Sequence, residues 1–163
     1  MNIIKNGRVL PEPSDELIRR EEGFYRVKFP NDYITFLKEY NGGVPVANTF
    51  ELDGYTYLVE RFLCLLGDKK NEYEEGWYDI GVVTTQLFER LTENGDELGI
   101  TVVPIAALFA GNFVCLDYRG NKDNPTICFW HHELSTEFSP YTKEIASNFS
   151  EFLKLLKVSV NEE

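Results

Sequence analysis

Residues 29–45 read FPNDYITFLKEYNGGVP, and this stretch decides how the chain folds. Pro30 favours the start of a helix, because its fixed φ suits the first turn and its missing N–H is not needed there. An apolar stripe with the spacing of one helix face follows, formed by Tyr33, Phe36, Leu37 and Tyr40. The helix is then stopped by residues that tolerate positive φ, namely Asn41, Gly42 and Gly43. The stretch therefore predicts a helix packed on a core, with no catalytic group in it.

Further helices are predicted on both sides of this one. Ser14 is a suitable N-cap for a short, charged helix that stops at Gly23. Thr85 is a suitable cap for a helix that ends near Gly95, with its inward face formed by Leu87, Phe88 and Leu91. The last helix lies in SNFSEFLKLLK, residues 147–157, and its apolar face is formed by Phe149, Phe152, Leu153 and Leu156.

Between these helices the chain has the composition of β-strands. Residues 49–66, TFELDGYTYLVERFLCLL, are rich in β-branched and aromatic side chains, and Asp53-Gly54 predicts a hairpin between two strands. VVPIAALFAGNFVCLDYRG at 102–120 and PTICFWHHE at 125–133 predict three more strands at hairpin spacing. The order predicts a single α+β domain over residues 1–163, with its core at about 14–158, built on a mainly antiparallel sheet flanked by helices.

The charge balance limits the class of partner. The 163 residues carry a formal net charge of −11, with a pI near 4.7. Nucleic acids and anionic membranes repel such a protein, so we expect neither as a partner and favour a basic protein instead. The N-terminus lacks the apolar segment of a secretory signal, so we expect no export by that route. The charge-free run at residues 100–116 is interrupted by Pro104, so we do not expect it to span a membrane. Cys64, Cys115 and Cys128 lie in apolar runs without CxxC spacing, which predicts buried thiols and a cytoplasmic location.

Four segments in order resemble the signature of the SUKH superfamily. The family's proline, Tyr-bearing helix and Asn-Gly-Gly resemble FPNDYITFLKEYNGG. Its apolar strand, glycine turn and Leu-Asp strand resemble PIAALFAGNFVCLDYRG, with the turn glycine at Gly111 and the aspartate at Asp117. PTICFWHHE and NFSEFLKLL resemble the next strand and the closing helix, so the resemblance covers most of residues 29–156. This chain departs from the pattern at Phe29 and Asn112, and it has a longer segment between Gly67 and Thr85.

The resemblance implies a non-catalytic protein-binding domain with no cofactor. Bacterial members are mostly immunity proteins that bind and neutralise toxin domains, often nucleases, and a fungal branch acts as a regulatory scaffold for cell-wall synthesis. An immunity protein directed at a basic nuclease is therefore the first hypothesis for this chain, and a regulatory scaffold is the alternative. The resemblance implies structural roles for Pro30, Tyr33, Asn41, Gly42, Gly43, Gly111 and Asp117.

An acidic, aromatic-bearing stretch is the candidate partner-binding surface. Residues 71–100 contain eight acidic side chains and one basic, which is −7 of the total charge of −11. Carboxylates steer a basic partner and exposed aromatic side chains anchor it. The candidate contact residues are Asp53, Glu72, Glu74, Glu75, Trp77, Tyr78, Asp79, Asp96 and Glu97. The alternative interpretation is a solvated loop whose Trp77 is packed into the core.

Two groups of residues suggest chemistry, and the sequence argues against both. His131 and His132 are adjacent on a predicted strand and point to opposite faces, so the two rings do not converge on one metal ion. Asp117 would be a second ligand for His131 only if the strand register placed the two side chains opposite each other. Cys115 with a nearby histidine has the residue types of a nucleophile and base pair, but it lies between Val114 and Leu116 and the sequence marks no Asn or Asp to orient the base, which favours an inert thiol. We therefore predict no catalytic residue, no metal site and no enzymatic activity.

Overall fold

The structure, a computed structural model, describes residues 3–96 and 99–159. Its centre is a six-stranded sheet in which each strand pairs antiparallel with the next along the chain. The strands are β3 (Thr49–Leu52), β4 (Tyr55–Phe62), β5 (Val102–Leu108), β6 (Phe113–Asp117), β7 (Thr126–Trp130) and β8 (Thr142–Ala146). A short second sheet pairs β1 (Ile4–Asn6) with β2 (Val44–Pro45). The prediction of a single α+β domain with an antiparallel sheet is confirmed.

The helices flank this sheet. They are α1 (Asp15–Tyr25), α2 (Asn31–Tyr40), α3 (Ile80–Leu87) and α4 (Phe149–Leu155). Ser14 caps α1 as predicted, with its hydroxyl oxygen accepting from the Leu17 N–H at 3.1 Å. The helix does not stop at Gly23, however, but continues to a left-handed C-cap at Arg26. A glycine within a helix costs only about 1 kcal/mol relative to alanine, so Gly23 alone does not end α1.

The predicted apolar stripe of α2 forms the centre of an aromatic core. All four of its side chains are buried, and the Phe36 ring lies 4.7 Å from that of Phe62 on β4 and 5.3 Å from that of Phe149 on α4, between ring centroids. Tyr33 meets Phe149 at 5.2 Å in an edge-to-face arrangement. These contacts hold α2 and α4 together over the sheet.

The exit from α2 has a second function besides ending the helix. Asn41 adopts the left-handed conformation, and its side-chain amide exchanges two hydrogen bonds with the backbone of Leu65, at 2.7 Å and 3.1 Å. Gly43 has φ of 111°, and a Cβ there would lie 2.7 Å from a methyl carbon of Ile4. The Asn-Gly-Gly exit therefore also connects α2 by hydrogen bonds to the chain after β4 and allows β1 to pack closely against it.

The β3–β4 and β5–β6 turns lie where the sequence predicts them, and both contain residues with positive φ. Asp53 and Gly54 both have positive φ, 51° and 84°, as a tight turn between β3 and β4 requires. Gly111, with φ of 81°, lies in the β5–β6 turn against the ring of His132. The β3–β4 hairpin folds over the far strands, since the Tyr57 ring lies 4.6 Å from that of Phe129 on β7.

The helix before β5 differs from the prediction. Asp79, not Thr85, is the N-cap of α3, and Thr85 lies inside the helix with its hydroxyl bonded to the Gly81 carbonyl at 2.7 Å. Leu91 is buried as expected, whereas Phe88 is 42% exposed. Strand β8 was also not predicted, because an edge strand with the sequence TKEIA lacks a clear apolar alternation. Within residues 3–96 and 99–159, no helix combines the length and the apolar composition needed to cross a bilayer.

Candidate partner-binding surface

Residues 67–79, here called the acidic segment, connect the chain after β4 to α3. The segment consists of two 3₁₀ turns, Gly67–Glu72 and Glu74–Tyr78, followed by Asp79. Its C-terminal end is held by backbone hydrogen bonds on both sides of Cys64: the Cys64 N–H donates to the Tyr78 carbonyl at 2.9 Å, and the Ile80 N–H donates to the Cys64 carbonyl at 2.8 Å. The segment is thus pinned to the core where it meets α3.

Asp79 holds the acidic segment from the inside and is not part of the surface. The side chain is 2% exposed, and its two carboxylate oxygens accept from the N–H groups of Leu66 at 2.8 Å and Val82 at 3.1 Å. One bond closes the loop and the other caps α3. Asp79 therefore does not belong to the exposed face predicted to contact a partner, because its carboxylate is buried and hydrogen-bonded within the fold.

Close packing also fixes the middle of the segment. Tyr73 packs on a small apolar cluster formed by Val9, Cys64 and Leu66. Gly76 lies against the first turn so tightly that a Cβ there would be 2.1 Å from the Lys70 carbonyl oxygen. A longer side chain at this position would require the two turns to separate.

The outer face of the segment presents aromatic and acidic side chains. Trp77 is 74% exposed, so the interpretation that placed it in the core is wrong. Tyr78 is half-exposed, and the guanidinium of Arg61 lies 4.3 Å from its ring centroid, which holds the ring in place. Glu72 and Glu74 are exposed beside them. An exposed tryptophan on a pinned segment is unusual for a residue type that is mostly buried.

The structure does not bring all nine predicted contact residues together. Glu72, Glu74, Glu75, Trp77 and Tyr78 share the acidic segment. Asp53 lies beyond the opposite end of β4, a strand whose eight residues span roughly 25 Å, and it pairs with Lys143 on β8 at 2.8 Å. Asp96 is exposed after α3, outside the segment, and Glu97 lies outside the described residues.

A cavity of about 480 Å³ between α1 and α3 was missed by sequence reasoning. Its lining includes Glu21, Tyr25 and Phe88, and Glu21 is only 7% exposed. Burial is the main cause of a raised pKa at Glu21, and the nearby charge of Asp79 adds to it, while the Tyr25 hydroxyl acts in the opposite direction. One signal was present in the sequence: Glu21 lies on the same helix face as the buried Ile18 and Tyr25.

The histidine pair does not form a metal site. The His131 ring packs edge-on against Phe129 and Tyr141, and its Nδ1 accepts from the Leu134 N–H at 3.3 Å. Asp117 is paired with Arg119 at 2.9 Å, at the other end of the β6–β7 pair. In the part of the chain that the structure describes, no three His, Cys, Asp or Glu side chains are grouped to hold a metal ion.

The three cysteines are buried free thiols, as predicted. Cys115 lies opposite Cys128 on β7, and burial raises its pKa well above the ordinary value. Burial also raises the pKa of Cys64, to about 12. Since the thiolate is the nucleophilic form, these environments do not activate a cysteine.

Comparisons with known proteins agree with this architecture. The model of the family described as "SUKH_6: SMI1-KNR4 cell-wall" matches residues 15–153. The chain is also similar to the SPbeta prophage-derived uncharacterized protein YokK of Bacillus subtilis, at 27% identity over 154 residues, covering 92% of this chain and 78% of that protein. No solved structure matches. Because the family model spans most of the chain, the protein belongs to the SUKH (SMI1-KNR4) family.

Proposed function

We propose that this chain is a cytoplasmic immunity protein that binds and neutralises a cognate nuclease toxin through the outer face of its acidic segment. Proteins of this family are commonly immunity proteins and are generally non-catalytic. The observation that carries the proposal is Trp77, which is 74% exposed on a segment that is pinned to the core and also carries the exposed Glu72 and Glu74.

A pinned tryptophan is a suitable anchor for a protein interface. Large aromatic side chains contribute a disproportionate share of binding energy, commonly about 2 kcal/mol or more when truncated. The hydrogen bonds at Asp79 and Cys64 and the close approach of Gly76 to Lys70 order the segment before binding. Less conformational entropy is then lost on association, which favours a tight complex.

The charge of the surface supports a basic partner. Glu72 and Glu74 are exposed on the same segment as Trp77, and the whole chain carries a net charge of −11. Such charges increase the association rate of a basic protein at low salt. A nuclease is basic where it holds nucleic acid, so the acidic segment is complementary to that face. The relative described as prophage-derived suits a protein carried with a toxin on a mobile element.

Co-expression with the toxin encoded beside this chain tests the proposal. We expect the wild-type protein to rescue growth and to bind the purified toxin. Trp77→Ala should weaken that binding by about 30-fold or more, corresponding to about 2 kcal/mol. Phe109→Ala is the matched control, because Phe109 is 73% exposed at the β5–β6 turn, outside the acidic segment. Equal killing with and without the wild-type protein would refute the proposal.

The alternative is a non-catalytic regulatory scaffold, for which the words "cell-wall" in the family description are the supporting observation. Affinity capture from the native host at endogenous expression separates the two functions. A stable housekeeping partner retained in a strain without the adjacent toxin gene would favour the scaffold.

A further inference from the structure

The cavity between α1 and α3 has the features of a receptor for a charged side chain. It has a volume of about 480 Å³, and its walls come from α1, the acidic segment, α3 and the chain at residues 99–100. Gly67, Asp68 and Lys70 of the acidic segment contribute to the lining. The cavity therefore adjoins the segment that carries Trp77, so one partner can engage both.

Two buried carboxylates converge on one side of this cavity. Glu21 and Asp79 are 7% and 2% exposed. A Cβ built on Gly81 would lie 2.9 Å from Asp79 Oδ2 and 4.0 Å from both Glu21 carboxylate oxygens. Gly81 thus leaves room above both groups. Each carboxylate oxygen of Asp79 already accepts a backbone N–H, whereas no backbone N–H donates to the Glu21 carboxylate among the described residues, so Glu21 is the more available acceptor.

The Glu21 carboxylate forms no ion pair within the described residues, and the positive charges of Arg20 and Lys70, which line the same cavity, act on it only from a greater distance. No lysine, arginine or histidine nitrogen there lies within 4.0 Å of its carboxylate. Arg20, its neighbour in sequence, instead pairs with Asp68 at 3.3 Å. Tyr25 also lines this cavity, and its hydroxyl lies 3.2 Å from the Thr84 hydroxyl. Burial raises the pKa of Glu21, and hydrogen bonding from the same Tyr25 hydroxyl acts in the opposite direction. A carboxylate buried without a cation is costly, and clefts containing such groups are candidate functional sites.

Two exposed phenylalanines line the cavity together with the Arg20–Asp68 ion pair and Lys70. Phe24 on α1 is 66% exposed and Phe88 after α3 is 42% exposed. Exposed phenylalanine rings beside a buried carboxylate can cover the alkyl stem of a long cationic side chain and interact with its charge. This combination suits arginine best, because a planar guanidinium pairs with a carboxylate through two hydrogen bonds and also stacks on aromatic rings.

We propose that this cavity receives an arginine side chain of the protein partner, with its guanidinium on Glu21 and its stem between the acidic segment and the two exposed phenylalanines. The inference rests on the proposed function only in naming the carrier of that arginine as the toxin. Trp77 then anchors the complex on the outer face of the segment while the arginine anchors it on the inner side.

The first experiment needs no toxin. N-acetyl-arginine-methylamide is titrated into the ¹⁵N-labelled full chain, with the citrulline analogue as a neutral isostere and the lysine analogue as a second cation. We expect shift changes concentrated on the amides of Glu21, Tyr25, Gly81 and Thr84, at least about fivefold smaller for citrulline and absent in Glu21→Gln. Equal shifts for arginine and citrulline, or shifts unchanged by Glu21→Gln, would overturn the proposal. A stronger response to the lysine analogue would overturn the assignment to arginine.

The second experiment uses the complex with the toxin. Glu21→Gln and Phe88→Ala should each speed dissociation at least about tenfold with little change in association rate, because the contact is buried. Phe109→Ala again serves as the exposed control. Wild-type dissociation rates in both variants would overturn the inference and leave the immunity function intact. Conversely, a specific response to the arginine probe in a protein that does not protect against the toxin would refute the immunity function and leave the cavity assignment standing.

Discussion

Replacing Asp79 by alanine should destabilise the fold instead of removing a partner contact. The carboxylate is 2% exposed and accepts from the Leu66 N–H at 2.8 Å and from the Val82 N–H at 3.1 Å. Alanine leaves the Leu66 N–H buried without an acceptor and removes the N-cap of α3. The acidic segment then loses one of its attachments to the core.

The magnitude follows from these two bonds. An unsatisfied buried donor costs about 1–3 kcal/mol, and loss of an N-cap costs about 1 kcal/mol. Together they predict that the free energy of unfolding falls by about 3 kcal/mol. For a domain of this size each kcal/mol shifts the Tm by about 2–4 °C, so we expect the Tm to fall by about 6–12 °C.

Urea and thermal unfolding followed by circular dichroism measure this change. Asp79→Asn should lower the free energy of unfolding by less than Asp79→Ala, because the amide oxygen still accepts one of the two hydrogen bonds while the amide NH₂ faces the other donor. Glu74→Ala, on the exposed face of the same segment, should stay within about 0.5 kcal/mol of wild type. An Asp79→Ala protein with wild-type stability and lost toxin binding would show that Asp79 is an interface residue and that the reasoning is wrong.

Three further predictions concern the same region. Glu21→Gln should stabilise the protein at neutral pH, because burial raises the folded-state pKa of Glu21 above its ordinary 4.5 and the ionised side chain therefore opposes folding. In urea unfolding, this gain should shrink as the pH falls through the raised folded-state pKa and be lost below about pH 4.5. Charge reversal at Glu74 and Glu75 should slow association with the toxin, with a steep dependence on salt in stopped-flow measurements. Gly76→Ala should separate the two 3₁₀ turns at Lys70, speed hydrogen exchange in the acidic segment, and lower toxin affinity.

Controls for these three predictions are available in the same chain. Gln substitution at the exposed Glu16 on α1 should leave the pH dependence of stability unchanged. Reversal at Glu133 and Glu137, which are exposed beyond β7, makes the net charge less negative by the same amount but should affect association less. Gly120→Ala is the control for Gly76, because a Cβ at Gly120 would meet no atom within 4 Å. An association rate unchanged by reversal at Glu74 and Glu75 in low salt would place the interface elsewhere.

Some of the candidate surface could be predicted from the sequence and some could not. The acidic segment was found because charge and aromatic content are visible in composition, and Trp77 and Tyr78 are indeed exposed there. Composition does not show which of several carboxylates faces water. Asp79 and Glu74 are alike as residues, yet one caps a helix from inside the core and the other is solvated.

Local sequence signals specify the parts of the fold in which those signals agree. Around α2, the proline, the apolar spacing and the Asn-Gly-Gly exit all favour one helix, and Asp53-Gly54 favours one hairpin turn, so the structure follows both predictions. The start of α3 and the lining of the cavity depend instead on tertiary contacts. Asp79 becomes the cap because its carboxylate also reaches the Leu66 N–H, thirteen residues earlier. Glu21 becomes a buried carboxylate because α3 packs across from α1. Both outcomes depend on contacts between segments distant in sequence, which local propensity does not specify.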